Sequence, residues 1–259
     1  MEWRNYKANS FNLTNGQGYL YANAENTNVI FKGTFNEDET KSMELAYDAT
    51  ASLAGWNLVG NPFPVQAYAN RSYYVLNAGG TAIEPTPVSS GTAIAPCTGI
   101  MVKAGAQGES IVFNKMAPET ASNQGGLQIA LSQVVERGDA PTGSTTAIDK
   151  AIVSFNVGDR LEKFVFNKEN TVISIPQGGK DFAIACAEKR AEVPLNYKSV
   201  KDGKFTLNVS VDSEEMDYLH LVDNLTGNDI DLLATPNYTF EAKGKDYASR
   251  FKLVFMSKD

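Results

Sequence analysis

One histidine, His220, and two cysteines, Cys97 and Cys186, are all the imidazole and thiol that this 259-residue chain offers. A Ser-His-Asp or Cys-His relay would have to use that one ring, and a thiolate zinc site needs four soft ligands, so both chemistries are limited by inventory. His220 lies in Tyr218-Leu219-His220-Leu221-Val222. Leu219 and Leu221 alternate inward there, so His220 is expected at the surface with Tyr218. Cys97 and Cys186 are read as small buried hydrophobes in different domains. The acidic run Asp223 to Asp231 gathers several oxygens but lacks the glycine at position six and the glutamate at position twelve of a calcium loop. Its Asn and Gly residues fit a hairpin turn. Gly16-Gln17-Gly18 and the loop Gly105 to Gly108 lead neither to Gly-Lys-Ser/Thr nor to a helix start, so neither is a phosphate cradle. No catalytic residue, cofactor site or metal site is assigned.

Aromatic side chains are the remaining candidates for chemistry. Trp3, Tyr6, Tyr19, Tyr21, Trp56, Tyr68, Tyr73 and Tyr74 crowd the first half. Adjacent residues of a strand point to opposite faces, so one of Tyr73 and Tyr74 is expected at the surface. The pair is the candidate ligand-binding site, since an exposed ring can stack on a sugar.

Net charge narrows the partners. There are 23 Lys and Arg against 30 Asp and Glu, a formal charge of −7. The cations are scattered singly among acids, whereas phosphate recognition needs a basic stripe that releases counterions, so nucleic acid is excluded. No apolar run reaches the roughly 18 residues needed to span a bilayer, and Met1 to Tyr21 carries no signal-peptide pattern.

The elements that must position these residues read as strands. Lys204 to Val211 alternates Phe205, Leu207, Val209 and Val211 against polar neighbours, and the same period of two recurs at Tyr238–Glu241, Phe251–Phe255 and Val29–Phe35. Asn36 to Ala54 fits a short helix or a strand. Asp202-Gly203 predicts a tight hairpin between a Tyr197 strand and a Phe205 strand. Gly79-Gly80, Gln177-Gly178-Gly179 and Asn224–Asn228 are further turn signals. Strands punctuated this often predict an all-β protein of two antiparallel β-sandwich-like domains in tandem. The boundary falls in the small, polar, Pro/Gly-bearing stretch Met116 to Gly126, giving domains at 1–117 and 125–259. Arg137 to Ser144 reads as a loop inside the second.

Two groups of motifs resemble known modules. Gly18-Tyr19-Leu20-Tyr21-Ala22-Asn23, Phe31-Lys32-Gly33-Thr34-Phe35 and Gly55-Trp56-Asn57-Leu58-Val59-Gly60-Asn61-Pro62-Phe63-Pro64 resemble, in order and spacing, a module near the C-terminal end of Bacteroidetes-type secreted surface proteins. Val193–Tyr197, Leu221-Val222-Asp223, Thr226-Gly227, Tyr238-Thr239-Phe240 and Arg250–Phe255 resemble the terminal β-sandwich of the same proteins. The resemblance implies a non-catalytic, adhesin-like attachment protein, the C-terminal part of a larger secreted chain at the bacterial surface. Its partner would be a host or bacterial surface protein or a glycan. The alternatives are a carbohydrate-binding module of a glycan-degrading system and a glycosidase built on two carboxylates. The C-terminal domain is also a candidate secretion or sorting module, its last strand expected at an edge open to strand addition. Trp56 and Leu58 are expected to alternate as a buried strand that Asn61-Pro62 stops.

Overall fold

A computed structural model describes residues 11–21, 24–25, 28–77, 82–118, 125–135, 145–165 and 169–258. Trp3, Tyr6, Gly79-Gly80, most of the stretch 116–126 and all of 137–144 lie outside the described residues. The described chain is all-β, with one turn of 3₁₀ helix at Val88–Ser90 and no helix long and apolar enough to cross a membrane.

The first seven strands are β1 (Thr40–Glu44), β2 (Trp56–Gly60), β3 (Tyr68–Ala69), β4 (Tyr73–Leu76), β5 (Ile83–Thr86), β6 (Gly99–Lys103) and β7 (Ser110–Asn114). They make two antiparallel sheets, ordered β1-β7-β3 and β2-β6-β4-β5. Leu45, Ile111 and Phe113 meet Val59, Tyr73, Ile100 and Val102 in the core between them. Asn36–Ala54 holds β1 and turns, which resolves its ambiguity in favour of the strand.

Eleven strands follow: β8 (Gly126–Val134), β9 (Thr145–Ser154), β10 (Leu161–Glu162), β11 (Val172–Gln177), β12 (Lys180–Cys186), β13 (Arg190–Lys198), β14 (Gly203–Asp212), β15 (Met216–Asp223), β16 (Asn228–Asp231), β17 (Asn237–Ala242) and β18 (Phe251–Ser257). They form one sheet in the order β16-β15-β18-β13-β11-β12-β9-β8-β14-β17, with β10 beside β12. Among the described residues only β9 and β12 pair in parallel. The sheet curls on itself until its ends approach, like a barrel left slightly open. Tyr238 of β17 donates to Asp223 Oδ2 of β15 at 3.0 Å, and Phe240 of β17 packs edge-on against Phe251 of β18 at 4.8 Å. Curling encloses one apolar core and leaves only short end strands as edges.

At that closure Arg250 and Asp223 are both buried. Arg250 Nε donates to Asp223 Oδ1 at 3.0 Å and Nη2 to Oδ2 at 2.8 Å, while the guanidinium plane lies over Phe240 and Phe251. The fork geometry satisfies both charges where water cannot reach. Asp223, which opens the acidic run, is thus committed to the fold, and residues 224–227 make the hairpin turn to β16, with Gly227 at φ 75°.

Several local expectations are corrected. Asp202-Gly203 closes no hairpin, because β13 pairs with β11 and β18 whereas β14 pairs with β8 and β17. Tyr197 and Phe205 instead meet edge-on across the core at 5.6 Å, so the connection passes between the two walls. A two-residue turn signal specifies a bend but not the partner of the strand that follows it. At Gly178-Gly179 the signal is sufficient: both glycines have positive φ and Gln177 pairs with Lys180. The last strand, β18, lies between β13 and β15 rather than at an edge. Cys97 is exposed in a turn at φ 60° and Cys186 is half-buried, so neither is a core hydrophobe.

Candidate functional site

Tyr73 and Tyr74 do point to opposite faces, but both are buried, 3% and 2% exposed. The sheet β2-β6-β4-β5 is covered on both sides, so alternation here chooses between two cores and not between core and water. Tyr73 joins the core against β7, and burial pushes its phenol up to about 12. Tyr74 faces the other way, into a cluster with Trp56, Met101, Ile152, Leu161, Phe164, Ala183 and Ile184. Neither ring is available to stack on a sugar.

That second cluster joins the two halves of the chain. Trp56 meets Phe164 edge-on at 4.9 Å and Tyr74 at 5.9 Å. Tyr74 Oη accepts a hydrogen bond from the Phe164 amide at 3.2 Å, and burial raises its phenol far above the ordinary range. Lys103 lies over the Trp56 ring and reaches Glu162 at 3.4 Å. The motif Gly55–Pro64 is therefore architectural. Gly55 takes φ 72° with the Ala104 carbonyl pressed against it. Asn57 bonds both backbone groups of Ala46 at 2.9 Å, and Asn61 donates to Val65 and Ile94 carbonyls while accepting from the Phe63 amide. Each polar side chain of the motif satisfies backbone groups of an irregular segment.

A cleft of about 70 Å³ lies beside the cluster, lined by Ser89, Ser154, Asp159 and Asp212 among others. By that measure the cleft has room for a few water molecules. Asp159 is fully buried. It accepts from the Ser89 amide at 3.0 Å, from Ser154 Oγ at 2.6 Å and, at very short range, from Ser89 Oγ. These three donors tie the turn at Ser89 to the end of β9 through one buried carboxylate, which acts as a latch. Beside it, Cys186 Sγ faces the carbonyl oxygens of Asn156, Val157 and Asp159, its one S–H nearest the Asp159 oxygen at 2.8 Å, and burial raises its thiol pKa, the opposite of a reactive thiolate.

His220 and Tyr218 emerge together on the outer face of β15, as the alternation predicts. Their rings stack at 4.1 Å, and Nδ1 lies 2.7 Å from Asp229 Oδ1 of β16. No metal-holding group of three or more His, Cys, Asp and Glu side chains occurs among the described residues.

A different surface carries what sequence reasoning missed. Val29–Phe35 has strand alternation but forms no ladder, and its apolar side chains are in water: Ile30 is 78% exposed, Phe31 59% and Phe35 73%. Leu20 and Tyr21 are likewise exposed. Alternation signals competence to form a strand with one covered face, and nothing in it supplies the cover. A contiguous exposed apolar stretch of this kind marks an interaction surface in soluble proteins.

Compared with protein-family models, curated proteins and solved structures, the chain matches none of them.

Proposed function

We propose that this chain is a non-catalytic attachment module, the C-terminal part of a larger secreted surface protein of the type its motifs resemble. The observation that carries the reading is the exposed apolar ribbon at Val29–Phe35, set on a body whose aromatic and acidic candidates are engaged in packing and latches. The two halves are read as sandwich-like domains, 1–117 and 125–259, joined by the Trp56–Tyr74–Phe164 cluster. The partner is a protein surface, because the ribbon offers exposed apolar side chains and few polar groups for sugar hydroxyls. A role for the C-terminal half in sorting is part of the same proposal, and it would be read from an exposed face, since β18 is interior.

The test is binding of the purified chain to parallel arrays of glycans and extracellular-matrix proteins, with an Ile30→Asp/Phe31→Asp variant beside it. Binding to a matrix protein that the variant loses at unchanged melting temperature supports the reading. Binding to one glycan class that survives the variant transfers it to the carbohydrate-binding alternative, and release of sugars from an arrayed glycan transfers it to the glycosidase.

A further inference from the structure

We propose that Lys163 and Asp149 join in an intramolecular isopeptide bond, an amide between Lys163 Nζ and Asp149 Cγ that fastens the segment after β10 to strand β9. The two side chains are almost removed from solvent, at 4% and 14% exposed. Lys163 Nζ lies 2.7 Å from Oδ1 and 2.6 Å from Oδ2 of the same carboxylate. A nitrogen that close to both oxygens, in the plane of the carboxylate, sits about 3 Å from the carbon between them, and a turn of the Asp149 carboxyl about Cβ–Cγ presents the face of that carbon to it. Two further contacts position the pair. The Ile173 amide of β11 donates to Oδ2 at 2.8 Å, where negative charge collects as Cγ becomes tetrahedral, and the Lys150 carbonyl accepts from Nζ at 3.1 Å and holds the nitrogen in place. Burial pushes the Lys163 ammonium toward its neutral, nucleophilic form, and only Asp149 and the more distant Asp181 oppose it.

The step balances without a co-reactant. An ammonium proton passes to Oδ1, the carboxyl turns its face to the nitrogen, and the freed lone pair attacks Cγ. The C–O bond to Oδ1 breaks, and that oxygen leaves as water with two of the three original ammonium protons. The third stays on the amide nitrogen. Two desolvated charges become one neutral amide and water is released, which removes the cost of holding an ion pair in a dry site.

The position gives the bond a purpose. Asp159, Leu161, Glu162 and Phe164, all within a few residues of Lys163, contact the first half of the chain. A covalent tie from this segment to the middle of β9 carries a pull across the joint into the larger sheet, whatever the module attaches to.

Intact-mass spectrometry of the purified full chain tests it, followed by protease mapping. The expected chain is lighter than its sequence by one water, and mapping yields a branched peptide joining the segments of Asp149 and Lys163. The Lys163→Arg and Asp149→Ala chains return to their sequence masses. A wild-type mass equal to that of the sequence overturns the proposal. So does a one-water deficit that maps elsewhere or persists in Lys163→Arg, as ring closure at Asp202-Gly203 would give. The decisive mass and map come from the unaltered protein, so poor folding of a variant does not obscure them.

Discussion

Tyr74 and Phe164, ninety positions apart, share one buried hydrogen bond: the phenol oxygen of the first receives the backbone amide of the second at 3.2 Å. Around it, Trp56 and Phe164 pack edge-on. The pairing makes a single mechanical and thermodynamic unit of what the composition suggested were two separable bodies, because β4 on one side and the segment after β10 on the other lose their cover together.

The whole chain is accordingly expected to unfold in one transition. Tyr74→Phe removes the buried hydrogen bond from the Phe164 amide, at a cost of about 0.5–1.5 kcal/mol. Trp56→Ala removes a large ring from the joint and costs about 3–5 kcal/mol. Urea denaturation followed by circular dichroism measures both. Two well-separated transitions in the unaltered chain would contradict the shared core.

Asp159→Ala releases the latch by removing the carboxylate that accepts from the Ser89 amide and from the Ser89 and Ser154 hydroxyls, for an expected loss of about 2–3 kcal/mol. Hydrogen exchange at the Ser89 amide should accelerate more than exchange in the β13 and β18 ladder. Equal acceleration in both would show that the effect is global.

Acid should weaken the barrel closure. Burial alone would raise the Asp223 carboxyl, but the hydrogen bond from Arg250, with those from the Leu225 amide and Tyr238, outweighs it and leaves the group below the ordinary carboxylate value. The unfolded chain then binds the proton first, so this contribution is complete above about pH 4 and is lost as pH falls through the lower folded value. Asp223→Asn should cost about 1.5–3 kcal/mol at neutral pH, since it removes the charge from the paired acceptor while Asp246 and the Glu241 carbonyl still hold the guanidinium. Its urea midpoint should also fall less steeply below pH 4 than that of the unaltered chain.

Gly55→Ala tests the motif. The added methyl meets the Ala104 carbonyl oxygen at 2.1 Å, in a backbone region that L residues seldom adopt. Strain of this kind costs about 1–3 kcal/mol, and the melting temperature should drop accordingly. Ile30→Asp, by contrast, should stay within about 0.5 kcal/mol, because that side chain touches water already.

Strand periodicity was enough to establish an all-β chain from the order of its residues, and the outward placement of Tyr218 and His220, since a pleat sends neighbours to opposite sides whatever lies beyond. Glycine pairs were equally local at Gly178-Gly179, where the turn needs only positive φ. What lies on each side of a strand is not local. Tyr73 and Tyr74 are both buried because a second sheet packs on each face of β4, and Val29–Phe35 is exposed because no sheet packs on it, although their alternation reads alike. The partners of β13 and β14, the interior place of β18, and the meetings of Asp159 with Ser89, Asp223 with Arg250 and Lys163 with Asp149 were likewise decided only in the tertiary structure. Hydrogen-bond ladders and buried charges choose partners by distance in space, and period and composition do not encode that distance.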